Sequence, residues 1–146
     1  MYKINYENEL NENQYKAVIA NNGPISIIAG AGSGKTRTIM YKIARLIEDG
    51  ILPEQILVLT FTNAAANEIK SRAASMLDDR CNHIAAGTFH SFAAYMLRIY
   101  GKTINISNNF TILAPGDCAD AIGFIKAESN DKYKIKGFPQ NSKIVS

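Results

Sequence analysis

Apolar positions recur along this chain with two periods, one typical of buried strands and one typical of helices. A short apolar run at Ile25–Ala29 predicts a first strand, and a nearly continuous apolar run at Ile56–Phe61 predicts a strand that is buried on both faces. Between these runs, helical spacing predicts a long helix that ends at Gly50. The apolar residues on the inward face of that helix are Ile39, Met40, Ile43, Leu46 and Ile47.

The rest of the chain continues this alternation of helices and strands. Asn11 is predicted to cap a helix from Glu12 to about Ala20, with Gln14 as its capping-box partner. Asn63 is predicted to cap a helix over Ala64–Leu77 with Ile69, Ala73, Met76 and Leu77 facing inward. The later elements expected are a strand near His83–Ala86, a helix ending at about Tyr100, a short strand at Phe110–Leu113 and a helix from about Asp117 to Ala127. The pattern predicts an α/β fold with a parallel sheet flanked by helices.

Composition narrows the class of protein only slightly. With 146 residues, of which 47% are apolar, the chain can form one domain or part of one. Its net charge of +3 permits a nucleic-acid partner without indicating one. Cys81 and Cys118 have neither metal nor disulfide spacing, and no signal peptide or membrane-length apolar run is present. We therefore expect a soluble, cytoplasmic protein with no membrane partner.

The most specific chemical signal is a glycine-rich stretch between the first predicted strand and the long helix. It reads Ala29-Gly30-Ala31-Gly32-Ser33-Gly34-Lys35-Thr36, which is the P-loop pattern with alanine in place of its first glycine. In such a loop, glycines permit a left-handed backbone and the backbone N–H groups surround an anionic phosphate. The N-terminus of the following helix adds further donors.

The last two residues of this loop carry the chemistry of the site. Lys35 is expected to reach the β- and γ-phosphates, and the Thr36 hydroxyl is expected to ligate Mg²⁺. The pattern therefore predicts a nucleoside triphosphate site. The alternative is a glycine-rich turn that precedes a helix with a surface lysine.

Four segments together resemble superfamily one helicases of the UvrD/Rep/PcrA type. Leu10-Asn11-Glu12-Asn13-Gln14 is similar to the glutamine motif of that family, and Ala29–Thr36 followed by Arg37 is similar to its first helicase motif. The stretch from Leu59 to Ile69, with Arg72, resembles motif Ia. Gly87-Thr88-Phe89-His90-Ser91-Phe92 resembles motif Ib. The segments occur in the order and at the spacing of the family.

The resemblance implies a role for each matching residue. The implied fold is a RecA-like P-loop NTPase domain that is incomplete in this chain, and the implied ligands are ATP and Mg²⁺. Nucleotide contacts are implied for the eight loop residues and for Gln14, Arg37 and Arg72, with Gln14 selecting adenine. Contacts with single-stranded DNA are implied for two strand ends, at Thr60, Phe61, Thr62 and Asn63 and at Thr88, Phe89 and His90.

Each of these residues also has a simpler interpretation from its local pattern. Gln14 can serve only as a capping-box partner, although the two roles can coexist. Arg37 and Arg72 can be solvated helix residues. Phe61 ends an apolar run and can belong to the core. His90 has no second histidine or cysteine at ligand spacing, so it can be a hydrogen-bonded structural residue.

An element needed for catalysis is missing from the sequence. ATP hydrolysis requires an acidic pair at a strand end, and no apolar run here leads into Asp-Glu. By resemblance, residues 1–113 form the N-terminal part of the ATP-binding motor domain. Residues 114–146 form a helical segment and the start of an inserted subdomain, marked by Lys136-Gly137-Phe138-Pro139.

The sequence therefore predicts a segment of a 3′-to-5′ ATP-dependent DNA helicase that moves on single-stranded DNA and unwinds duplex. We expect the segment alone to be inactive and to depend on the remaining helicase domains of the same polypeptide. Two alternatives stay open. A small P-loop kinase would need an acid to activate its acceptor hydroxyl. A nucleotide-binding adaptor would bind ATP without hydrolysis and without dependence on single-stranded DNA.

Overall fold

The computed structural model describes residues 2–21 and 23–133. The described residues form helices α1 (Tyr6–Glu9), α2 (Glu12–Ile19), α3 (Lys35–Glu48), α4 (Asn63–Met76), α5 (Phe89–Tyr100) and α6 (Pro115–Tyr133), and strands β1 (Leu57–Thr60) and β2 (Ala85–Thr88). Short 3₁₀ turns occur at Pro53–Gln55, Asp79–His83 and Gly101–Ile104. The predicted mixed α/β class with a parallel sheet flanked by helices is confirmed.

The two strands pair in parallel and are joined by α4. Leu57 aligns with Ala85 and Thr60 aligns with Thr88, so both strands end at the same edge of the sheet. The strand predicted at His83–Ala86 begins later than expected, at Ala85. His83 instead ends the 3₁₀ turn Asp79–His83, which begins where the Asp78 carboxylate accepts a hydrogen bond from the Arg80 backbone N–H at 3.0 Å.

Two of the predicted strands are absent from the described residues. The apolar run Ile25–Ala29 and the segment Phe110–Leu113 have no regular secondary structure. An apolar run becomes a strand only when a neighbouring strand satisfies its backbone N–H and C=O groups, and the only sheet among the described residues contains β1 and β2. These two predictions were wrong because they used side-chain pattern alone.

The core lies between the inward faces of α3 and α4 and the buried face of β1. Of the residues predicted to face inward from α3, Met40, Ile43 and Ile47 are buried and Leu46 is half-buried against them. Ile39 is 39% exposed, so its inward assignment was wrong. Thr38, Tyr41 and Ala44 are buried in addition. The buried stripe of α3 is therefore rotated towards the N-terminal residues that pack on it.

On α4, Ile69, Ala73 and Leu77 are buried as expected, and Met76 packs against them.

Cationic side chains of α3 fasten the N-terminal helices to it. The Lys42 ammonium donates to the Val18 carbonyl oxygen at 2.9 Å and to the Ala20 carbonyl oxygen, both at the end of α2. These carbonyl oxygens accept no hydrogen bond from within the helix, so the lysine supplies the missing donor. Burial lowers the pKa of Lys42. The glutamine motif on α2 is thus held against the helix that follows the P-loop.

The chain divides into two compact units, one that ends at Leu97 and one that begins at Arg98. The candidate site residues all lie in the first unit. The predicted boundary between residues 113 and 114 stays a prediction, and the predicted subdomain start at Lys136–Pro139 lies outside the described residues. Across residues 2–21 and 23–133, none of the helices combines the length and the apolar character that crossing a bilayer would require.

Candidate nucleotide and nucleic-acid sites

The P-loop residues form an exposed turn that leads directly into α3. Gly32 and Gly34 have φ values of 74° and 88°, which is left-handed backbone that favours glycine. Inside the turn, the Ser33 hydroxyl donates to the Gly30 carbonyl oxygen at 2.8 Å. The first residue of α3 with a backbone acceptor is Thr38, whose N–H bonds the Gly34 carbonyl oxygen at 2.9 Å. The first-turn N–H groups of α3 therefore remain available to an anion.

The Lys35 side chain folds back across the mouth of this turn. Its ammonium donates to the carbonyl oxygens of Ala29 and Gly30 at 2.7 and 2.6 Å. Because an ammonium has three donors, one N–H remains for a further acceptor. This geometry places a positive charge beside the helix N-terminus, where the two favour the same anionic ligand.

Gln14 touches the P-loop, although the two are nineteen residues apart in sequence. Its Nε2 donates to the Ser33 carbonyl oxygen at 3.3 Å, while its Oε1 accepts from the Asn11 backbone N–H at 3.2 Å. The predicted capping box is confirmed. A Cβ placed on Gly34 would lie 2.7 Å from Gln14 Nε2, the movable end of that side chain, so glycine is favoured here by its left-handed φ rather than by lack of space. Gln14, Ser33 and Lys35 line one cavity of about 210 Å³.

Arg37 is exposed, but it is not merely solvated. Its guanidinium donates to the Glu9 carbonyl oxygen at 3.0 Å and to the Tyr41 hydroxyl oxygen at 3.1 Å. The Tyr41 hydroxyl in turn donates to the Glu9 carboxylate. Burial and the bond to Glu9 raise the pKa of Tyr41, while the Arg37 charge lowers it. The cation that follows Thr36 is therefore held in a defined place.

Two residues predicted to contact nucleotide or metal, Arg72 and Thr36, take no part in the contacts described for Gln14, Lys35 and Arg37. Arg72 lies on the exposed face of α4 and pairs with Glu68 at 2.5 Å, and no described interaction joins it to the P-loop. Thr36 is exposed on the first turn of α3. Within the described part of the chain, no group of three or more His, Cys, Asp and Glu residues is placed to hold a metal. A Mg²⁺ site at Thr36 therefore stays a prediction.

The end of β1 presents an aromatic side chain to solvent. Phe61 is 90% exposed, so its assignment to the core is wrong. The Thr60 hydroxyl donates to the Thr62 carbonyl oxygen at 2.7 Å, which tightens the turn around Phe61. The cap predicted at Asn63 belongs instead to Thr62, which has extended backbone and whose hydroxyl accepts from the Ala65 N–H at 3.2 Å. Asn63 is the first residue of α4 and is exposed.

The end of β2 repeats the arrangement beside it. Phe89 and His90, predicted at a strand end, form the first turn of α5, and Phe89 is 61% exposed. Thr88 and Ser91 exchange two hydrogen bonds, from the Thr88 N–H to Ser91 Oγ at 3.0 Å and from the Ser91 N–H to Thr88 Oγ1 at 3.1 Å. Because Thr60 and Thr88 are aligned, Phe61 and Phe89 follow paired residues at one edge of the sheet.

Three residues that hold the candidate site residues in place were missed by the sequence analysis. Ser91 holds the end of β2, and Thr88-x-x-Ser91 is a spacing that reciprocal caps use. Glu9 and Tyr41 hold Arg37. The spacing of Arg37 and Tyr41 along one helix face was a usable signal. The role of Glu9 was not readable, because it depends on how α1 packs against α3.

Comparison with known proteins gives a consistent picture. The sequence profile of the UvrD/REP helicase N-terminal domain matches residues 10–146. The ATP-dependent DNA helicase PcrA of Staphylococcus aureus (strain Mu50) is 40% identical over 131 residues, which cover 88% of this chain and 18% of that protein. The ATP-dependent DNA helicase PcrA of Leuconostoc citreum is 44% identical over 108 residues, covering 73% and 14%. The chain thus spans less than a fifth of either relative. The predicted resemblance and the P-loop NTPase fold are confirmed.

Proposed function

Because the chain belongs to the UvrD/REP helicase N-terminal domain family, we propose that it is the ATP-binding N-terminal segment of an ATP-dependent DNA helicase. The parent protein moves 3′ to 5′ along one DNA strand and unwinds duplex. The observation that best supports this proposal is the contact between Gln14 and the P-loop at 3.3 Å. It joins a group able to recognise a base to a turn able to hold phosphate.

This chain's own backbone and side-chain groups can bind a nucleotide. The first-turn N–H groups of α3 and the Lys35 ammonium bind phosphate oxygens, and the Thr36 hydroxyl offers one ligand to Mg²⁺. The left-handed glycines at 32 and 34 keep side chains out of the approach. When bound, the Mg-ATP complex supplies the phosphoanhydride bond whose cleavage drives the motor. Residues outside this sequence complete hydrolysis, so this chain alone is expected to hydrolyse almost no ATP.

Gln14 retains the capacity to recognise adenine while it caps α2. Its Oε1 uses one of two lone pairs on Asn11, and its Nε2 uses one of two hydrogens on Ser33. The remaining acceptor and donor match the N6 and N7 positions of adenine. Guanine carries an acceptor, O6, where adenine has the N6 donor. Capping and base recognition therefore coexist on this side chain.

Mg-ATP should bind more tightly than Mg-GTP because one hydrogen bond is lost and an acceptor is left unpaired with guanine. The difference expected is about 1–3 kcal/mol, measured by calorimetry or by NMR titration of the 146-residue chain. Gln14→Ala should remove most of it. Asn11→Ala is the matched control, since it removes the side-chain cap of α2 but leaves the Gln14 amide. Equal affinities for the two nucleotides in the unsubstituted chain would refute adenine recognition.

We further propose that the shared edge of β1 and β2 contacts single-stranded DNA. At this edge, Phe61 and Phe89 are exposed, and polar groups of Thr60, Thr62, Asn63, Thr88 and His90 lie next to them. Exposed rings stack on bases of any sequence, while hydroxyl, amide and imidazole groups bond phosphate. Aromatic side chains left in water beside polar groups are better explained by this contact than by packing within the described unit.

Phe61→Ala should weaken binding of a short single-stranded oligonucleotide by about 1–3 kcal/mol, the cost of losing one stacked base. Fluorescence anisotropy at fixed salt measures the effect. The matched control is Phe124→Ala, since Phe124 is 79% exposed on α6 and is not one of the residues assigned to the proposed edge. Unchanged affinity of the Phe61 variant, or an equal loss with Phe124→Ala, would remove stacking from the proposal.

Reading the coding sequence beyond the codon for Ser146 tests the helicase parent itself. A frame that continues into an apolar strand ending in Asp-Glu, with arginine motifs further on, is the expected result. A stop codon at that position would contradict the motor and favour the nucleotide-binding adaptor. The adaptor would bind Mg-ATP with no effect of single-stranded DNA on that binding.

A further inference from the structure

The Arg37 side chain is held by a closed set of contacts with Glu9 and Tyr41. Its guanidinium bonds the Glu9 carbonyl oxygen at 3.0 Å and the Tyr41 hydroxyl oxygen at 3.1 Å. The same guanidinium carbon lies 5.2 Å from the centre of the Tyr41 ring, within the range of a cation–π contact. The Tyr41 hydroxyl donates to the Glu9 carboxylate, which closes the set. The cation thus has a fixed orientation.

This set lies beside the residues assigned to the nucleotide. A Cβ built on Gly34 would be 2.7 Å from Gln14 Nε2 and 4.0 Å from Arg37 Cβ, so the amide end of the Gln14 side chain and the first atom of the Arg37 side chain lie beside the same glycine. Tyr41 is only 4% exposed, whereas Arg37 is exposed. A buried ring and hydroxyl therefore support a planar cation that remains open to solvent, and planar guanidinium groups stack well on flat aromatic surfaces.

We propose that Glu9 and Tyr41 are positioning residues of the nucleotide site, which hold the Arg37 guanidinium ready for the base end of the nucleotide. The inference rests on the proposed ATP site at the P-loop and Gln14. An unrestrained arginine loses rotamer freedom when it binds, and that loss weakens affinity. Here Arg37 loses its rotamer freedom when the protein folds, because the Tyr41 hydroxyl and the Glu9 carbonyl oxygen already hold its side chain. Affinity for the base portion then depends on a hydroxyl that does not touch the ligand.

A purely structural role for the same contacts would have a different signature. If Glu9, Arg37 and Tyr41 only fastened α1 to α3, their loss would lower stability and weaken every ligand of the P-loop equally. Positioning of Arg37 instead affects only ligands that carry a base. Tripolyphosphate has the phosphate chain of ATP without ribose or base, so a comparison of the two separates these roles.

NMR titration of the 146-residue chain with Mg-ATP and with Mg-tripolyphosphate provides the test, since it measures millimolar dissociation constants. Tyr41→Phe keeps the ring and removes the hydroxyl that bonds Arg37. We expect it to weaken Mg-ATP binding about two- to tenfold, the value of one lost hydrogen bond. Binding of Mg-tripolyphosphate should not change. Arg37→Lys keeps the charge but not the planar fork, and it should show the same selective loss.

Tyr2→Phe is a closely matched control. The Tyr2 hydroxyl accepts from Arg45 at 2.6 Å and donates to Asp49 at 2.7 Å, so an arginine, a tyrosine and an acid meet there as well. This second set lies two helical turns further along α3, away from Gln14 and the P-loop. Tyr2→Phe should leave binding of both ligands unchanged, whatever it does to the melting temperature.

The outcomes separate the inference from the function on which it rests. A loss confined to Mg-ATP in Tyr41→Phe and Arg37→Lys supports positioning. No loss, an equal loss for both ligands, or the same loss in Tyr2→Phe overturns it while leaving the P-loop site intact. If the unsubstituted chain binds neither ligand, the proposed nucleotide site fails and positioning fails with it.

Discussion

Lys35→Ala should weaken Mg-ATP binding about 10- to 100-fold, because it removes a charge-assisted hydrogen bond worth about 1.5–3 kcal/mol. In the structure, the ammonium lies over the loop, where it bonds the Ala29 and Gly30 carbonyl oxygens. One donor remains for phosphate, and no other described lysine lies in the P-loop turn. NMR titration of the 146-residue chain measures the affinity.

The control for this substitution removes the same charge elsewhere. Lys16→Ala loses an exposed pair with Glu12, and exposed pairs contribute about 0–1 kcal/mol. Its effect on Mg-ATP affinity should be less than twofold. Since Lys35 also bonds the loop itself, thermal unfolding without nucleotide shows whether folding has changed. Unaltered Mg-ATP affinity in a folded Lys35→Ala variant would remove the P-loop assignment.

Residues that were predictable from sequence act through local geometry. The capping box of Asn11 and Gln14 and the left-handed glycines of the P-loop follow from rules that span a few residues, and the structure shows both. The pairing of the two polar strand ends was also predictable, since α4 joins parallel strands whose C-terminal ends share an edge. For these parts of the site, spacing alone carried the information.

Other parts failed because they depend on distant neighbours. Ile25–Ala29 has the side-chain pattern of a buried strand, but no adjacent strand among the described residues satisfies its backbone. Ile39 has helical spacing for the core, yet it is 39% exposed because the packed stripe of α3 faces Tyr6 and Val18. The contact of Glu9 with Arg37 needs α1 to lie against α3. Periodicity states which residues share a face, and not what covers that face.

Leu77→Ala should lower the free energy of unfolding by about 2–5 kcal/mol, the largest stability effect expected of a single substitution here. Leu77 is 2% exposed and follows α4, and it belongs to the largest fully buried side chains. Its backbone N–H bonds the Ala73 carbonyl oxygen at 2.9 Å, which alanine preserves. The loss therefore comes from the side chain alone, as lost apolar burial and the cavity left among closely packed neighbours.

Guanidinium denaturation followed through the amide signals of α3 and α4 measures this loss in the unit that ends at Leu97. Leu52→Ala is the matched control, because Leu52 is 60% exposed and its truncation should cost no more than about 0.5 kcal/mol. Leu77 does not line the cavity beside Gln14 and Lys35. The Mg-ATP affinity of the folded fraction should therefore stay unchanged in Leu77→Ala, whereas Lys35→Ala should lose affinity without a matching loss of stability. Equal destabilisation by the two leucine substitutions would show that the interface between α3 and α4 is not the core that holds the P-loop helix in place.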